Sequence, residues 1–380
     1  MTRGTQMMTK TKLMTGSVVL ALGWCTGMVL AQDHGAPVVA ASSIAAGSWR
    51  TLTTEPYPGK RDDVSFADAD HGWYGTGKGD LFATSDGGEH WEKVASRPGT
   101  FIRAVGFVDA KTGFIGNIGT DYYPGVTDTT PLYRTDDGGV TWQPVDLGGK
   151  TVAGICAIDI ARTSRIYQGK LVPRTIITAA GRVGGPTGMI RSVDGGDTWT
   201  VTDLSDKAGM ILDVKFFDEQ TGLIFAASSR DAATGNALIL RTSDGGKSWT
   251  EVYKSKRPAE LIWKASFVDA RTGFATVMSY DESATQKYIV KTVDGGRTWN
   301  ELPLVNNGKA VELGIGFINA THGWVGTTVG GFETNDGGKT FVPAPIARAA
   351  NKFRFVKTPR GTRVYAIGTA LQRLDIAARN

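Results

Sequence analysis

The chain repeats itself. Six short segments, "TSDGGEHW", "TDDGGVTW", "SVDGGDTW", "TSDGGKSW", "TVDGGRTW" and "TNDGGKTF", place aspartates at Asp86, Asp137, Asp194, Asp244, Asp294 and Asp336, at spacings of 51, 57, 50, 50 and 42 residues. A period of about 50 residues lies in the range of propeller blades and above that of most helical solenoids. A second element precedes most copies: "FADADHGW" from Phe66, "FVDAKTGF" from Phe107, "FFDEQTGL" from Phe216, "FVDARTGF" from Phe267 and "FINATHGW" from Phe317. Each is an apolar alternation, a polar turn containing Gly and a second alternation, the pattern of a β-hairpin. The Asp-Gly-Gly segment is a second hairpin. Two hairpins per period make four antiparallel strands, A to D from the inside outwards, which is the unit of a β-propeller.

The residues that follow position 31 hold seven such periods. The seventh is split. "KFRFVKTPRGTRVYAIG" and "ALQRLDI" supply three strands without an Asp-Gly-Gly turn, whereas "GSWRTLT", near the start, matches the strand that follows this turn elsewhere. An N-terminal strand completing the last blade closes the ring and removes two exposed edges. The expected fold is therefore all-β, a seven-bladed propeller of four-stranded antiparallel blades, occupying 46–380 as one domain. Composition agrees, with 50 Gly, 10 Trp and no long Ala/Glu/Leu/Lys block. The third repeat fits least well. Its segment "ARTSRIYQGKLVPR", 161–174, lacks the hairpin signature, and pattern alone does not assign its strands.

The recurring turn has a mechanism that needs no ligand. Its aspartate accepts hydrogen bonds from backbone N–H groups across the turn, its glycines adopt conformations closed to other residues, and its Thr or Ser hydroxyl bonds locally. The following Trp91, Trp142, Trp199, Trp249 and Trp299 serve as apolar wedges between sheets, each with an N–H that needs a partner. Six copies on six blades are architecture, not six active sites.

Strand alternation puts the A–B and C–D turns, and so both repeated motifs, on one face. The B–C loops and D–A connectors lie on the other, where the irregular segments gather: "NIGTDYYPGVTDTTP", "SSRDAATGN", "SYDESATQK" and "KSKRPAELIWK". Loops on a rigid scaffold carry specificity. Tyr122 and Tyr123 lead the candidate partner contacts, with Arg230 and Tyr280 on neighbouring loops. Asp63, Arg103, Asp213, Trp263, Lys264 and Glu312 begin the innermost strands and should ring the channel mouth, of which Arg103, Trp263 and Lys264 are further partner candidates. The alternative for this ring is an ordinary solvated rim.

Residues 1–31 read as an export signal: Arg3, Lys10 and Lys12 precede an uncharged run over 13–30, and small Ala31 stands at the expected cut. A retained anchor is the competing reading, since 18 uncharged residues approach spanning length. Residues 32–45 form an N-terminal segment before the propeller. The expected location is the periplasm or the cell exterior, or a thylakoid lumen in a photosynthetic organism. Without the signal the chain carries 39 basic against 37 acidic side chains, so charge gives no reason to expect nucleic acid, or a membrane beyond an uncleaved signal or a partner. Cys156, in "GICAIDI", is the one cysteine after the signal and reads as a buried thiol. His34, His71, His90 and His322 show no metal-ligand spacing, and the Gly-rich runs near Gly75 and Val183 lack the strand–helix setting of a phosphate loop. No cofactor is implied.

The paired Asp-x-x-x-Gly-Phe/Trp hairpin and Thr-x-Asp-Gly-Gly-x-Thr-Trp turn resembles the photosystem II assembly factors Ycf48 and Hcf136 and their bacterial relatives, over nearly the whole chain after the signal. The resemblance implies a seven-bladed propeller of Asp-box or BNR-type repeats and a non-catalytic role in binding a protein during assembly of a membrane or envelope complex. No arginine-rich constellation carries over residue by residue. The turn is also similar to the Asp box of sialidases and xyloglucan-cleaving glycosidases, so a glycan-active or glycan-binding propeller is the alternative. Here "FIRAV" around Arg103 is the nearest match to a sialidase's early Arg-Ile-Pro, with the order changed and no proline. Another glycosidase needs two carboxylates across a cleft. Asp121, Asp231, Asp281 and Glu282 are available, but on separate loops without a pairing signal.

If the aspartates lock turns, Asp294→Ala should cost about 1–3 kcal/mol in denaturant unfolding, the price of several charge-assisted hydrogen bonds, while partner binding survives in the folded fraction. Unchanged stability with lost binding would reverse the assignment.

Overall fold

The computed structural model describes residues 47–378. The expected signal at 1–31 and the segment 32–45 lie outside the described residues. Seven four-stranded antiparallel sheets follow one another as blades, and among the described residues there is no helix. Blade 1 is Val64–Phe66, Gly72–Gly75, Asp80–Thr84 and Glu92–Ser96, and blade 2 is Ile102–Phe107, Gly113–Asn117, Leu132–Thr135 and Gln143–Pro144. Blade 3 is Ala157–Tyr167, Lys170–Gly181, Gly188–Ser192 and Thr200–Asp203. Blade 4 is Met210–Phe216, Gly222–Ala227, Ala237–Thr242 and Thr250–Lys254, and blade 5 is Glu260–Phe267, Gly273–Ser279, Gln286–Thr292 and Asn300–Asn306. Blade 6 is Glu312–Phe317, Gly323–Thr327, Gly330–Thr334 and Val342–Ala344. Blade 7 takes Lys352–Thr358, Gly361–Ile367 and Leu371–Ala377, and its outermost strand is Arg50–Thr51.

The two repeated motifs account for the packing of blade on blade. Phe107, at the end of its A strand, stacks on Trp73 of blade 1 at 3.6 Å and 3°, and Phe317 stacks on Phe274 of blade 5 at 3.5 Å and 2°. The Gly of the hairpin signature leaves room for this ring: a Cβ on Gly113 would meet Phe107 at 2.4 Å. The aromatic residue after each Asp-Gly-Gly turn, Trp in five blades and Phe341 in blade 6, enters the seam with the preceding blade. Trp142 packs with Trp73 and Leu81 of blade 1, Trp199 with Phe114 of blade 2, and Trp299 with Leu223 and Phe225 of blade 4. Each such aromatic pair contributes about 0.5–1.5 kcal/mol beyond its buried area.

The turns themselves are nearly identical. Asp137 Oδ1 accepts from the Thr135 hydroxyl at 2.8 Å and the Thr141 N–H at 2.9 Å, while Oδ2 accepts the Thr141 hydroxyl at 2.6 Å. These donors, led by the Thr141 hydroxyl, pull the Asp137 carboxyl down to about 2. The turn of blade 1 substitutes His90, whose backbone N–H and ring Nδ1 both reach Asp86. The second glycine, at φ +98° in Gly139, lies against the neighbouring blade, and a Cβ there would meet Leu81 at 2.9 Å. Trp91, Trp142, Trp199 and Trp249 donate their ring N–H to the carbonyl of this glycine. Trp299 is buried without such a partner.

Blade 3 resolves the unassigned segment. Ile160 and Ile177 stand where other blades place the Phe and Gly of the signature, and the A–B ladder then runs on through seven further pairs to Tyr167↔Lys170. The segment 161–174 is a β-ribbon extending beyond the other A–B turns.

The ring closes as the split blade predicts. Arg50 pairs with Arg373 and Thr51 with Gln372, and Leu52 N–H donates to Leu371 O at 2.8 Å. Trp49 supplies the missing wedge, edge-on to Trp324 of blade 6 at 5.7 Å and to Phe353 at 6.2 Å. Across the seam, Tyr365 OH and Arg373 Nη1 donate to Gly87 O at 2.8 and 3.0 Å, and Glu89 pairs with both Arg50 and Arg373. Leu52 is buried in this seam, so Leu52→Ala should cost about 2–5 kcal/mol, and deletion of residues 48–53 should lower the melting temperature by about 10 °C or more. Calorimetry checks both, and an unchanged transition in the truncated chain would mean that the ring does not depend on its seam.

Candidate functional site

The irregular loops lie on the face of the B–C loops and D–A connectors. There the channel does not open as a pore. Phe101, Cys156, Met210, Leu212, Leu261, Trp263, Met278 and Leu313, drawn from blades 2 to 6, form one buried apolar cluster, and Tyr122, Val126, Val183, Ala232, Tyr280, Val311 and Ala349 pack over it half-buried. An apolar plug closes the mouth. Cys156 is part of it, as a buried free thiol.

The innermost strands carry charges inward from this mouth. Asp62 pairs with both Arg103 and Lys60, and the Arg103 guanidinium lies 5.0 Å from the Trp263 ring centre. Asp213 of blade 4 accepts Lys352 of blade 7 at 3.2 Å across the channel, and a bond from Ala265 N–H at 3.0 Å joins it to blade 5. Lys264 donates to Leu212 O at 2.7 Å. Trp263 Nε1 donates to Asn351 Oδ1, and Asn351 Nδ2 to Asp62 O, both at 2.7 Å. Arg354 reaches Asp63 at 2.8 Å. Burial lowers Lys60 and Lys264 to about 8, against the attraction of Asp62 and Asp213 respectively. Burial would raise Asp62, but Arg103 and Lys60 reverse this and hold it below the ordinary carboxylate range.

The structure thus corrects both readings of the expected ring. Asp63, Arg103, Asp213, Trp263, Lys264 and Glu312 are all buried, so they form neither a solvated rim nor a surface for a partner. Arg103, Trp263 and Lys264 instead brace the channel. Pattern could not show this, because a charged residue at the start of a strand looks the same whether it faces water or the opposite side of a ring. Their partners Lys60, Asp62, Asn351 and Lys352 escaped notice for the same reason.

The loop candidates stand differently. The 117–131 loop is pinned at its base: Asn117 Nδ2 donates to Asp128 O at 2.8 Å, Tyr133 OH to Asp128 Oδ2 at 2.7 Å, and Arg182 to the carbonyls of Ile118 and Thr120. This holds Tyr122 on the plug and turns Tyr123 outward, 53% exposed, with its ring edge-on to Phe101 at 5.3 Å. Tyr280 joins Tyr122 on the plug, and burial pushes its phenol up to about 12. Arg230 is exposed on the adjacent loop of blade 4. The tyrosines and the valines around them make an aromatic and aliphatic patch on a closed floor.

Asp121, Asp231, Asp281 and Glu282 are exposed on three loops, and Asp281 is held low by the hydroxyl and N–H of Ser283. Glu55 and Asp80 flank a recess of about 40 Å³, where Lys93 bridges them at 3.2 and 3.7 Å, and Glu55, Tyr57 and Arg61 also line an adjoining open cleft of about 520 Å³. Among the described residues no group of three or more His, Cys, Asp or Glu is placed to hold a metal ion.

Glu312 is fully buried, and its two oxygens accept the N–H groups of Ser279 and Tyr288 at 3.3 Å. Burial raises its carboxyl from 4.5 to about 8, against the pull of these N–H groups and of Lys287. The folded state therefore holds this proton more tightly than the unfolded chain. The stabilisation is complete below pH 4.5 and is lost as pH rises through about 8. Glu312→Gln should flatten the decline in melting temperature across this window, leaving the variant the more stable protein at its upper end. Coincident profiles for the two proteins would show that Glu312 titrates as an ordinary carboxylate.

No protein-family model matches this chain, and no curated protein does. Solved structures match over most of its length. A structure of Ycf48 bound to a D1 peptide aligns with a TM-score of 0.55 at 17% identity, covering 90% of this chain and all of the other. Ycf48 from Cyanidioschyzon merolae aligns at 0.56 and 18%, covering 87% and 98%. A GH74 enzyme from Niastella koreensis aligns at 0.54 and 16%, covering 82% of this chain and 51% of the enzyme. The seven-bladed ring is thus similar in fold to Ycf48, as the paired sequence signatures imply.

Proposed function

We propose that this protein is an exported, non-catalytic scaffold that binds a segment of a protein partner across the plugged mouth of its channel, in support of the assembly or stability of a membrane or envelope complex. One observation carries the reading: Tyr122 and Tyr280, from loops of different blades, meet on an apolar floor that closes the channel, with Tyr123 exposed next to Tyr122 and Arg230 exposed on the blade 4 loop. Aromatic side chains on a rigid floor are the usual anchors of a protein interface, since they bury large area at small entropic cost. A channel closed by apolar side chains offers a surface rather than a deep pocket, which suits an extended peptide better than an enclosed substrate.

The acid–base chemistry points the same way. A glycosidase needs a carboxylic acid kept protonated beside its substrate. Among the described residues the two carboxyls whose values are raised, Glu260 and Glu312, are both buried: Glu260 is paired to Arg257, and Glu312 faces backbone N–H groups. The fold's likeness to Ycf48 in complex with a peptide is compatible with this reading, and export rests on the N-terminal apolar run.

Recovery of partners with the native protein tests the proposal. Tyr122→Ala/Tyr280→Ala should reduce recovery of a protein partner about tenfold or more, and Tyr123→Ala, which removes an exposed ring, should weaken it without lowering the melting temperature. Recovery indifferent to all three tyrosines would overturn the surface. Hydrolysis of a glycan panel with no protein recovered would overturn the scaffold reading itself.

A further inference from the structure

We propose that the blade 3 ribbon is a membrane-docking device that sets its tip into the interface of an anionic lipid bilayer. The proposal concerns the face opposite the tyrosine patch and does not rest on the function proposed for that patch.

The other A–B turns with the hairpin signature span five residues. Blade 3 instead adds seven ladder pairs beyond Ile160↔Ile177, about 20 Å of extra ribbon at the usual rise of a strand. Its base is braced on both sides. Arg162 donates to Val108 O in the A–B turn of blade 2, and Arg165 and Arg174 approach Glu219 in that of blade 4 at 3.8 and 3.7 Å. Beyond the brace, every residue from 164 to 171 is exposed, so no other part of the described chain covers the ribbon.

At its end the ribbon carries Ile166, Tyr167 and Leu171, exposed at 75, 54 and 72%. Ile166 and Leu171 are cross-strand partners, so their side chains share one face, and Tyr167 lies on the other beside Lys170. Single exposed apolar residues are common on soluble proteins. Three bulky ones within six positions around a Gln168-Gly169 turn are a concentration of a different kind. The segment 161–176 contains four cations, Arg162, Arg165, Lys170 and Arg174, and no Asp or Glu, so with Glu219 at its base it keeps a net charge of +3. Apolar side chains at the tip, a Tyr whose ring and hydroxyl suit the headgroup boundary, and cations stepped behind them match the layers of an anionic membrane surface. A second copy of the chain would bring the same four cations together, and like charges oppose that contact.

A reporter at the tip reads insertion directly, independently of any contribution from the N-terminal apolar run. In the full chain, Tyr167→Trp adds one indole at the tip, and the unsubstituted chain provides the background of the native tryptophans. With vesicles of phosphatidylglycerol and phosphatidylcholine containing brominated acyl chains, the added emission should shift to the blue and be quenched. With phosphatidylcholine alone, the apparent affinity read by quenching should be about tenfold weaker or more. Adding Ile166→Asp and Leu171→Asp should abolish the quenching while leaving the melting temperature unchanged, because both residues are exposed. No quenching in anionic vesicles would overturn the proposal, as would quenching that survives the two aspartates. Capture of an acidic soluble protein by the tip, with no lipid quenching, would replace the membrane with a protein partner.

Discussion

A propeller has no core of its own until it is closed. Each blade here buries its two faces against its neighbours, so an open ring would leave one face of blade 1 and one of blade 7 in water. The seam that prevents this is short in hydrogen bonds but dense in side chains. Two ladder pairs and the Leu52 N–H position a strand whose Trp49 fills the wedge that Asp-Gly-Gly turns provide elsewhere, while Tyr365, Arg373 and Glu89 fasten the far side. Closure therefore joins the two ends of the described chain, and the stability of every other seam depends on it.

The second constraint is the channel. Seven innermost strands converge on a space that has to be filled, and this sequence fills it with ion pairs as well as apolar side chains. Buried charge is costly unless paired and hydrogen-bonded, and the pairings here are long in sequence: Asp213 with Lys352, Asp62 with Arg103, Asp63 with Arg354. The first joins blades on opposite sides of the channel, and the other two join neighbouring blades. The apolar plug around Trp263 then seals the network from the loop face. A closed mouth turns a potential pore into a platform, which is why the binding reading rests on surface aromatics and not on a pocket.

The two faces of the ring are differently specialised. On one, repeated turns are locked by their own aspartates and are nearly interchangeable, except where blade 3 departs from the pattern. On the other, loops of unequal length hold Tyr122 and Tyr280 over the plug. Two blades lack the hairpin signature, and they diverge: with Ile160 and Ile177 in place of the Phe and Gly pair, blade 3 continues its ladder into a ribbon, whereas blade 7 closes its A–B turn at Thr358↔Gly361.

Much of this was legible before any coordinates. The spacing of Asp86 to Asp336 determines a ring of blades, because a turn that needs Asp, two glycines and a hydroxyl leaves a local chemical signature. "GSWRTLT" likewise announces the closing strand, because a wedge Trp followed by a strand keeps its pattern even when it is moved to the other end of the chain. The tyrosine-bearing loops were found by their irregularity. Tertiary structure alone decided which charges are buried. Arg103, Trp263 and Lys264 sit at strand starts that read as a rim, and only convergence of seven strands turns them inward, next to hydrogen-bond partners up to 88 positions away. Local chemistry writes itself into local sequence, whereas burial at the centre of a ring depends on residues that become neighbours only when the ring has closed.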